Sequence, residues 1–199
     1  MKQGKSLFLT GDSGEGKTTL LFQCLNPYRA VTGGFFSQRL VNESGDTVGF
    51  RLASAKEEWE PKVCYEDGLT NIFLRRTIEG MVSYPEVFLK EGRKLLTSHG
   101  DHKLILMDEI GGVELLIPGF MEAVYACING PKPCIGVIKS RNNLAMMMAR
   151  NGGNSSASHL RDELEESVKI SPYNQLLTHH RKDEEAVREK ILKYLREGI

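Results

Sequence analysis

Apolar residues in this chain gather in short unbroken runs, and each run stops at a glycine-rich turn or a charged residue. Ser6-Leu7-Phe8-Leu9-Thr10 gives way to a glycine-rich turn, Lys103-Leu104-Ile105-Leu106-Met107 ends on Asp108-Glu109, and Cys134-Ile135-Gly136-Val137-Ile138 ends on Lys139. Continuous runs of this kind suit strands buried on both faces of a parallel sheet. After the first turn, Thr18 to Leu25 has helical spacing and stops before Pro27. Two further stretches, about 86–97 and about 119–128, read as crossover helices. Strand and helix in alternation predict a parallel sheet with helices on both sides.

Between Arg29 and Gly68 the pattern changes. Gly33 to Leu40 and Val48 to Leu52 flank the turn residues Glu43-Ser44-Gly45-Asp46, which predicts an antiparallel hairpin added to the sheet. Farther along, Asn151 to Ser156 reads as a mobile loop, with Met146-Met147-Met148 before it as a core edge or lid underside. A polar helix over about 158–166, a last strand at Ser167-Val168-Lys169-Ile170 and a final helix from Glu184 to Leu195 follow. The last carries a one-sided stripe of Ala186, Val187, Ile191, Leu192 and Leu195. No repeat or linker intervenes, so residues 1–199 are expected to form a single domain, large enough to bury about 70% of the unfolded chain's surface.

Charge narrows the partners. Lys plus Arg and Asp plus Glu each number 26, so no net field draws in nucleic acid or an anionic membrane. The run at Leu7 to Leu9 is too short for a signal-peptide core, and no run approaches the length of a membrane span. Cys24, Cys64, Cys127 and Cys134 are far apart, without a Cys-x-x-Cys pair, and lie in or beside apolar stretches. They read as reduced thiols in the core of a cytoplasmic protein. His179-His180 reads as a solvated pair, with no third ligand at metal-binding spacing.

The strongest chemical signal lies between the first strand and the first helix. Gly11-Asp12-Ser13-Gly14-Glu15-Gly16-Lys17-Thr18 satisfies G-x-x-x-x-G-K-[ST], the phosphate-binding P-loop, at every fixed position. Its glycines let successive backbone N–H groups curl around a phosphate, and the helix that starts near Lys17 adds its positive end. Lys17 supplies a full charge to the β- and γ-phosphates of a nucleoside triphosphate, and the Thr18 hydroxyl is placed to bind Mg²⁺. The nucleotide-binding stretch is thus expected to run from Gly11 to Thr19, with the carboxylates of Asp12 and Glu15 turned outward, away from the polyanion.

Asp108-Glu109, at the end of a buried run, completes the pattern. An acid there can reach Mg²⁺ directly or through water, and the next acid can orient and polarise an attacking water. Asp108-Glu109-Ile110-Gly111-Gly112-Val113-Glu114-Leu115 resembles the D-E-I-G-x-M-E-L motif of the cancer-related nucleoside-triphosphatase family, known also from thermophiles. Gly34-Phe35-Phe36-Ser37 is similar to its G-F-Y-T stretch, and Val48-Gly49-Phe50 and Phe120 add to the likeness, which is patchy between about 53 and 103. The resemblance implies a three-layer α/β/α P-loop fold and slow Mg²⁺-dependent hydrolysis of ATP, GTP and other triphosphates. It carries roles onto Lys17, Thr18, Asp108 and Glu109, with Glu114 as the next candidate base.

The chain departs from the family where E-V-R follows G-F-Y-T: it has Gln38-Arg39-Leu40-Val41, which puts Arg39 on the other strand face. Arg141 and Arg150, flanking the expected mobile loop, are then the candidate transition-state cations, while Arg75 and Arg76 lie in the unmatched middle. Lys139-Ser140-Arg141-Asn142 lacks the aspartate of an N-K-x-D guanine motif. Two other activities use the same loop: phosphoryl transfer to a small molecule bound between Arg29 and Ser98, and a nucleotide-dependent switch acting on a protein partner of unknown identity.

Overall fold

A computed structural model of the chain describes residues 5–98, 100–150 and 156–199, with the side chain of Arg150 outside that description. The expected mobile loop falls on 151–156, of which only Ser156 lies among the described residues.

Strand β1 (Ser6–Thr10) pairs in parallel with β8 (Cys134–Ile138) on one side and β9 (Gln175–Thr178) on the other. Strand β7 (Leu104–Ile110) pairs in parallel with β8 and with the first half of β2 (Thr32–Val41). The parallel part therefore runs β2-β7-β8-β1-β9, and all five C-terminal ends lie along one sheet edge. Close packing of β8 against β7 requires Gly136, because a Cβ there would sit 1.9 Å from the Met107 carbonyl oxygen.

Alternate residues of the buried runs feed two cores. Leu7, Leu9, Leu104, Leu106, Ile135 and Val137 pack with Leu21 and Leu25 of α1 (Lys17–Leu25) and with Ile191 and Leu195 of α6 (Glu184–Gly198). On the other face, Phe8, Ile105 and Met107 join Phe120 and Val124 of α3 (Pro118–Ile128). Leu96 of α2 (Arg93–Thr97) and Leu164 and Val168 of α5 (Ser156–Ile170) complete that second core. This is the three-layer α/β/α arrangement the pattern predicts.

The expected hairpin is β2 with β3 (Thr47–Ser54), but the antiparallel part is larger. It continues through β5 (Ile72–Thr77) and β6 (Gly80–Ser83), while short β4 (Lys62–Cys64) pairs with the outer half of β2. The helix expected over about 86–97 begins as a π-helical stretch, Phe88–Gly92, that leads into α2.

Two expectations fail here. Ser167-Val168-Lys169-Ile170 is the last turn of α5, because Ala157, Arg161, Leu164 and Val168 form one buried helical stripe; the last strand is β9. Cys64 is exposed on β4, whereas Cys24 and Cys134 are buried; all four thiols are free. No helix among the described residues is long and apolar enough to cross a membrane.

Candidate active site

Between β1 and α1 the loop takes backbone angles that only glycine adopts readily: φ is 85° at Gly14 and 87° at Gly16. Helix α1 has neither a capping side chain nor an acid in its first turn, which leaves its first N–H groups free for an anion. Asp12, Ser13 and Gly14 are exposed, and the Glu15 carboxylate accepts from the Arg181 N–H at 2.7 Å. Lys17 is buried; its Nζ donates to the carbonyls of Gly11 at 2.8 Å and Asp12 at 2.5 Å. Burial lowers its pKa against the pull of Glu109, Asp108 and the loop acids.

The acid pair lies on a bulge. Met107 faces Gly136 and Ile110 faces Ile138, so β7 spends one more residue than β8 across Asp108-Glu109. Glu109 has φ of 62°, a left-handed conformation uncommon for a side chain of its size and characteristic of functional strain. The extra residue turns the two carboxylates to different surroundings. Asp108 is fully buried, and its Oδ1 accepts from the Thr18 hydroxyl at 3.0 Å. Burial, with Glu109 next to it, raises the Asp108 carboxyl to about 7, and its Oδ2 has no hydrogen-bond partner among the described residues.

Glu109 is half-buried and engaged by Lys139, the residue that follows β8. Lys139 Nζ donates to the Glu109 carboxylate at 3.1 Å and to its carbonyl at 2.8 Å. That ammonium holds Glu109 below the usual carboxylate range. Burial would lower Lys139 in turn, but Glu109 and Glu114 outweigh it and keep the ammonium above its ordinary pKa. Glu114, the expected reserve base, is buried, and its Oε1 accepts from the N–H groups of Gly111 and Gly112, both at 2.6 Å. It clamps the turn that follows the acid pair.

Three further contacts hold the loop, none anticipated from sequence. His179, at the end of β9, is fully buried rather than solvated, and its Nε2 donates to the Glu15 carbonyl at 2.9 Å. Arg181 donates to the Gly14 carbonyl at 3.2 Å. From α4 (Arg141–Arg150), the Asn143 side-chain oxygen accepts from the Ser13 N–H at 3.1 Å. Lys139 and His179 sit just past the ends of β8 and β9, along the same sheet edge as the Asp108-Glu109 end of β7, where ligands of open α/β sheets bind. Strand-end position was the signal that could have found them.

The arginines expected to serve the transition state are placed differently. Arg141 is exposed, with its Nε on Asp162 at 2.7 Å, and the Arg150 side chain lies outside the described residues. Arg39 lies over the Phe50 ring, 5.8 Å from its centroid, and its charge contributes to lowering Glu109. Beside Glu109, a cavity of about 30 Å³ is lined by Ser37, Lys139 and the rings of Phe35, Phe73 and Phe88. That is room for a water molecule.

This chain is similar to known proteins along most of its length. It is 26% identical over 168 residues to the nucleoside-triphosphatase THEP1 of Natranaerobius thermophilus, which covers 82% of this chain and 93% of that one. It is 29% identical over 144 residues to the protein of that name from Thermofilum pendens, covering 70% and 76%. Among solved structures, the solution structure of a human cancer-related nucleoside triphosphatase superposes with a TM-score of 0.65 at 17% identity, covering 98% and 100%. The crystal structure of THEP1 from Aquifex aeolicus gives 0.61 at 19% identity, covering 96% and 98%. These two likenesses place the fold. The profile described as NTPase matches residues 6–168, and the chain belongs to that family.

Proposed function

We propose that this chain is a Mg²⁺-dependent nucleoside triphosphatase, cleaving ATP, GTP and related triphosphates to the diphosphate and phosphate, and that it works as a single domain in the cytoplasm. The observation that carries the reading is the meeting of three elements at one sheet edge. The P-loop lysine, the Thr18 to Asp108 hydrogen bond and the strained Glu109 come from the ends of β1 and β7 and the start of α1.

The residues fit a hard divalent cation. A fully buried carboxylate with an orphaned oxygen, bonded to a hydroxyl at 3.0 Å, is a donor set that a cation would complete. Among the described residues no group of three or more His, Cys, Asp or Glu could hold a metal by itself. That suits Mg²⁺, which binds through one or two protein oxygens and the nucleotide's own phosphates. Thr18 and Asp108 would hold it, and when bound it would offset charge on the β- and γ-oxygens.

The chain's own groups supply the rest. The amides of the Gly11 to Thr19 stretch that are not otherwise bonded, as Ser13 N–H is to Asn143, would bind phosphate oxygens, and Lys17 would turn from the loop carbonyls to the phosphates. Glu109 takes a proton from water as its oxygen forms the new bond to phosphorus and the bond to the β,γ-bridging oxygen breaks.

Phosphate release measured across a nucleotide panel tests the reading. Turnover should need Mg²⁺ and vanish in Asp108→Ala, which would still fold. Release that persists in EDTA, or in Asp108→Ala, would defeat it.

A further inference from the structure

We propose that Lys139 is a second cation for the terminal phosphate, and that triphosphate binding draws it from the carboxylate of Glu109 to the γ-phosphate. One lysine would thereby both bind the triphosphate and release the base. The inference rests on the hydrolase reading for the part played by Glu109.

Placement comes first. Strand β8 lies between the P-loop strand β1 and the acid strand β7, so whatever follows Ile138 emerges between the loop and Asp108-Glu109. The neighbours of Lys139 already touch the loop. Ser140 Oγ and Asn142 Nδ2 each lie 3.4 Å from Asp12 Oδ1, and Asn143 binds the Ser13 N–H.

Next comes anchorage. The Lys139 N–H donates to the Ile110 carbonyl at 2.8 Å, and its carbonyl accepts from Arg161 Nε at 3.0 Å. Arg161 is only 2% exposed and is itself ion-paired with Glu165. The backbone of Lys139 is thus fixed from both sides, while its long stem keeps rotatable bonds.

The two glycines of the acid motif pack against Lys139. A Cβ on Gly112 would lie 3.5 Å from Lys139 Cε and 2.8 Å from the Glu114 carboxylate. A Cβ on Gly111 would lie 3.3 Å from the backbone nitrogen of Lys139 and 3.5 Å from its Cβ. The turn clamped by Glu114 thus lies along the lysine.

The last part is charge. A γ-phosphate on the P-loop would offer more negative charge than one half-exposed carboxylate, and Lys139 follows the strand that lies between the loop and the acids. A diphosphate lacks that group and leaves Lys139 on Glu109. Lys139 is therefore a determinant of the preference for triphosphate over diphosphate.

The test is affinity by calorimetry, with Mg²⁺, for a non-hydrolysable ATP analogue and for ADP. Lys139→Met should lower the triphosphate-to-diphosphate affinity ratio about 10- to 100-fold, the worth of one hydrogen bond to a charged group, with ADP binding within about twofold. Lys139→Arg should keep most of the ratio. Glu109→Gln should raise it by loosening the lysine, and the double variant Glu109→Gln/Lys139→Met should lose that gain. An unchanged ratio in Lys139→Met, or a gain that survives in the double variant, overturns the proposal. Should Lys139→Met unfold early, Lys139→Gln takes its place under the same criterion. Binding needs no turnover, so a wild-type protein that releases no phosphate would defeat the hydrolase reading and leave this ratio to report on Lys139.

Discussion

At the scale of single residues, two adjacent acids differ because a bulge separates their surroundings. Asp108 loses all contact with solvent and gains the Thr18 hydroxyl; Glu109 twists to positive φ and meets Lys139. The acids were legible beside the P-loop; alone, an apolar run ending in two acids is an ordinary strand running into a solvated turn. Glu114 was not legible, because its role depends on a turn folding back three residues. Glu114→Ala would leave two N–H groups without their acceptor, at about 1–3 kcal/mol each. We expect urea unfolding to show a loss of about 2 to 5 kcal/mol, with Glu114→Gln milder. A loss below about 0.5 kcal/mol would mean the two amides find water at little cost.

At the scale of elements, β1 and β8 were readable to the residue, because an unbroken apolar run of that length escapes water only where both strand faces are covered; β7 runs three residues past its apolar stretch, to Ile110, carrying the acids within it. Strands β5 and β6 were not readable, since β6 is exposed along its whole length and shows no alternation. The end of α5 was misread for a different reason. Val168 and Ile170 suggest a strand in isolation, but Val168 belongs to the stripe begun at Ala157, and Ile170 is exposed. Strand β9 carries weight beyond its four residues, because it delivers His179 beneath the P-loop. His179→Leu should remove the donor to the Glu15 carbonyl and loosen the loop. Triphosphate affinity is expected to fall roughly 2- to 10-fold, one net hydrogen bond's worth, with the rate of bound substrate less affected. Calorimetry beside single-turnover rates would check this; unchanged affinity would show that the loop holds its shape without the histidine.

At the scale of the whole molecule, the parallel order β2-β7-β8-β1-β9 brings four strand ends together: the P-loop after β1, the acids at the end of β7, Lys139 after β8 and His179 after β9. Of these, the loop and the acids form patterns along the chain, whereas Lys139 becomes meaningful only once β8 is known to lie between β1 and β7, and His179 only once β9 is known to pair with β1. The central claim is that this edge hydrolyses a triphosphate with Glu109 as the base. It is tested most directly by Glu109→Gln under single turnover, with Mg²⁺-nucleotide binding measured in parallel. The rate should fall by about 10² to 10⁴, the worth of general-base catalysis, while binding is retained or tightens. A variant that cleaves within about threefold of wild type, against that expected loss, would contradict the account.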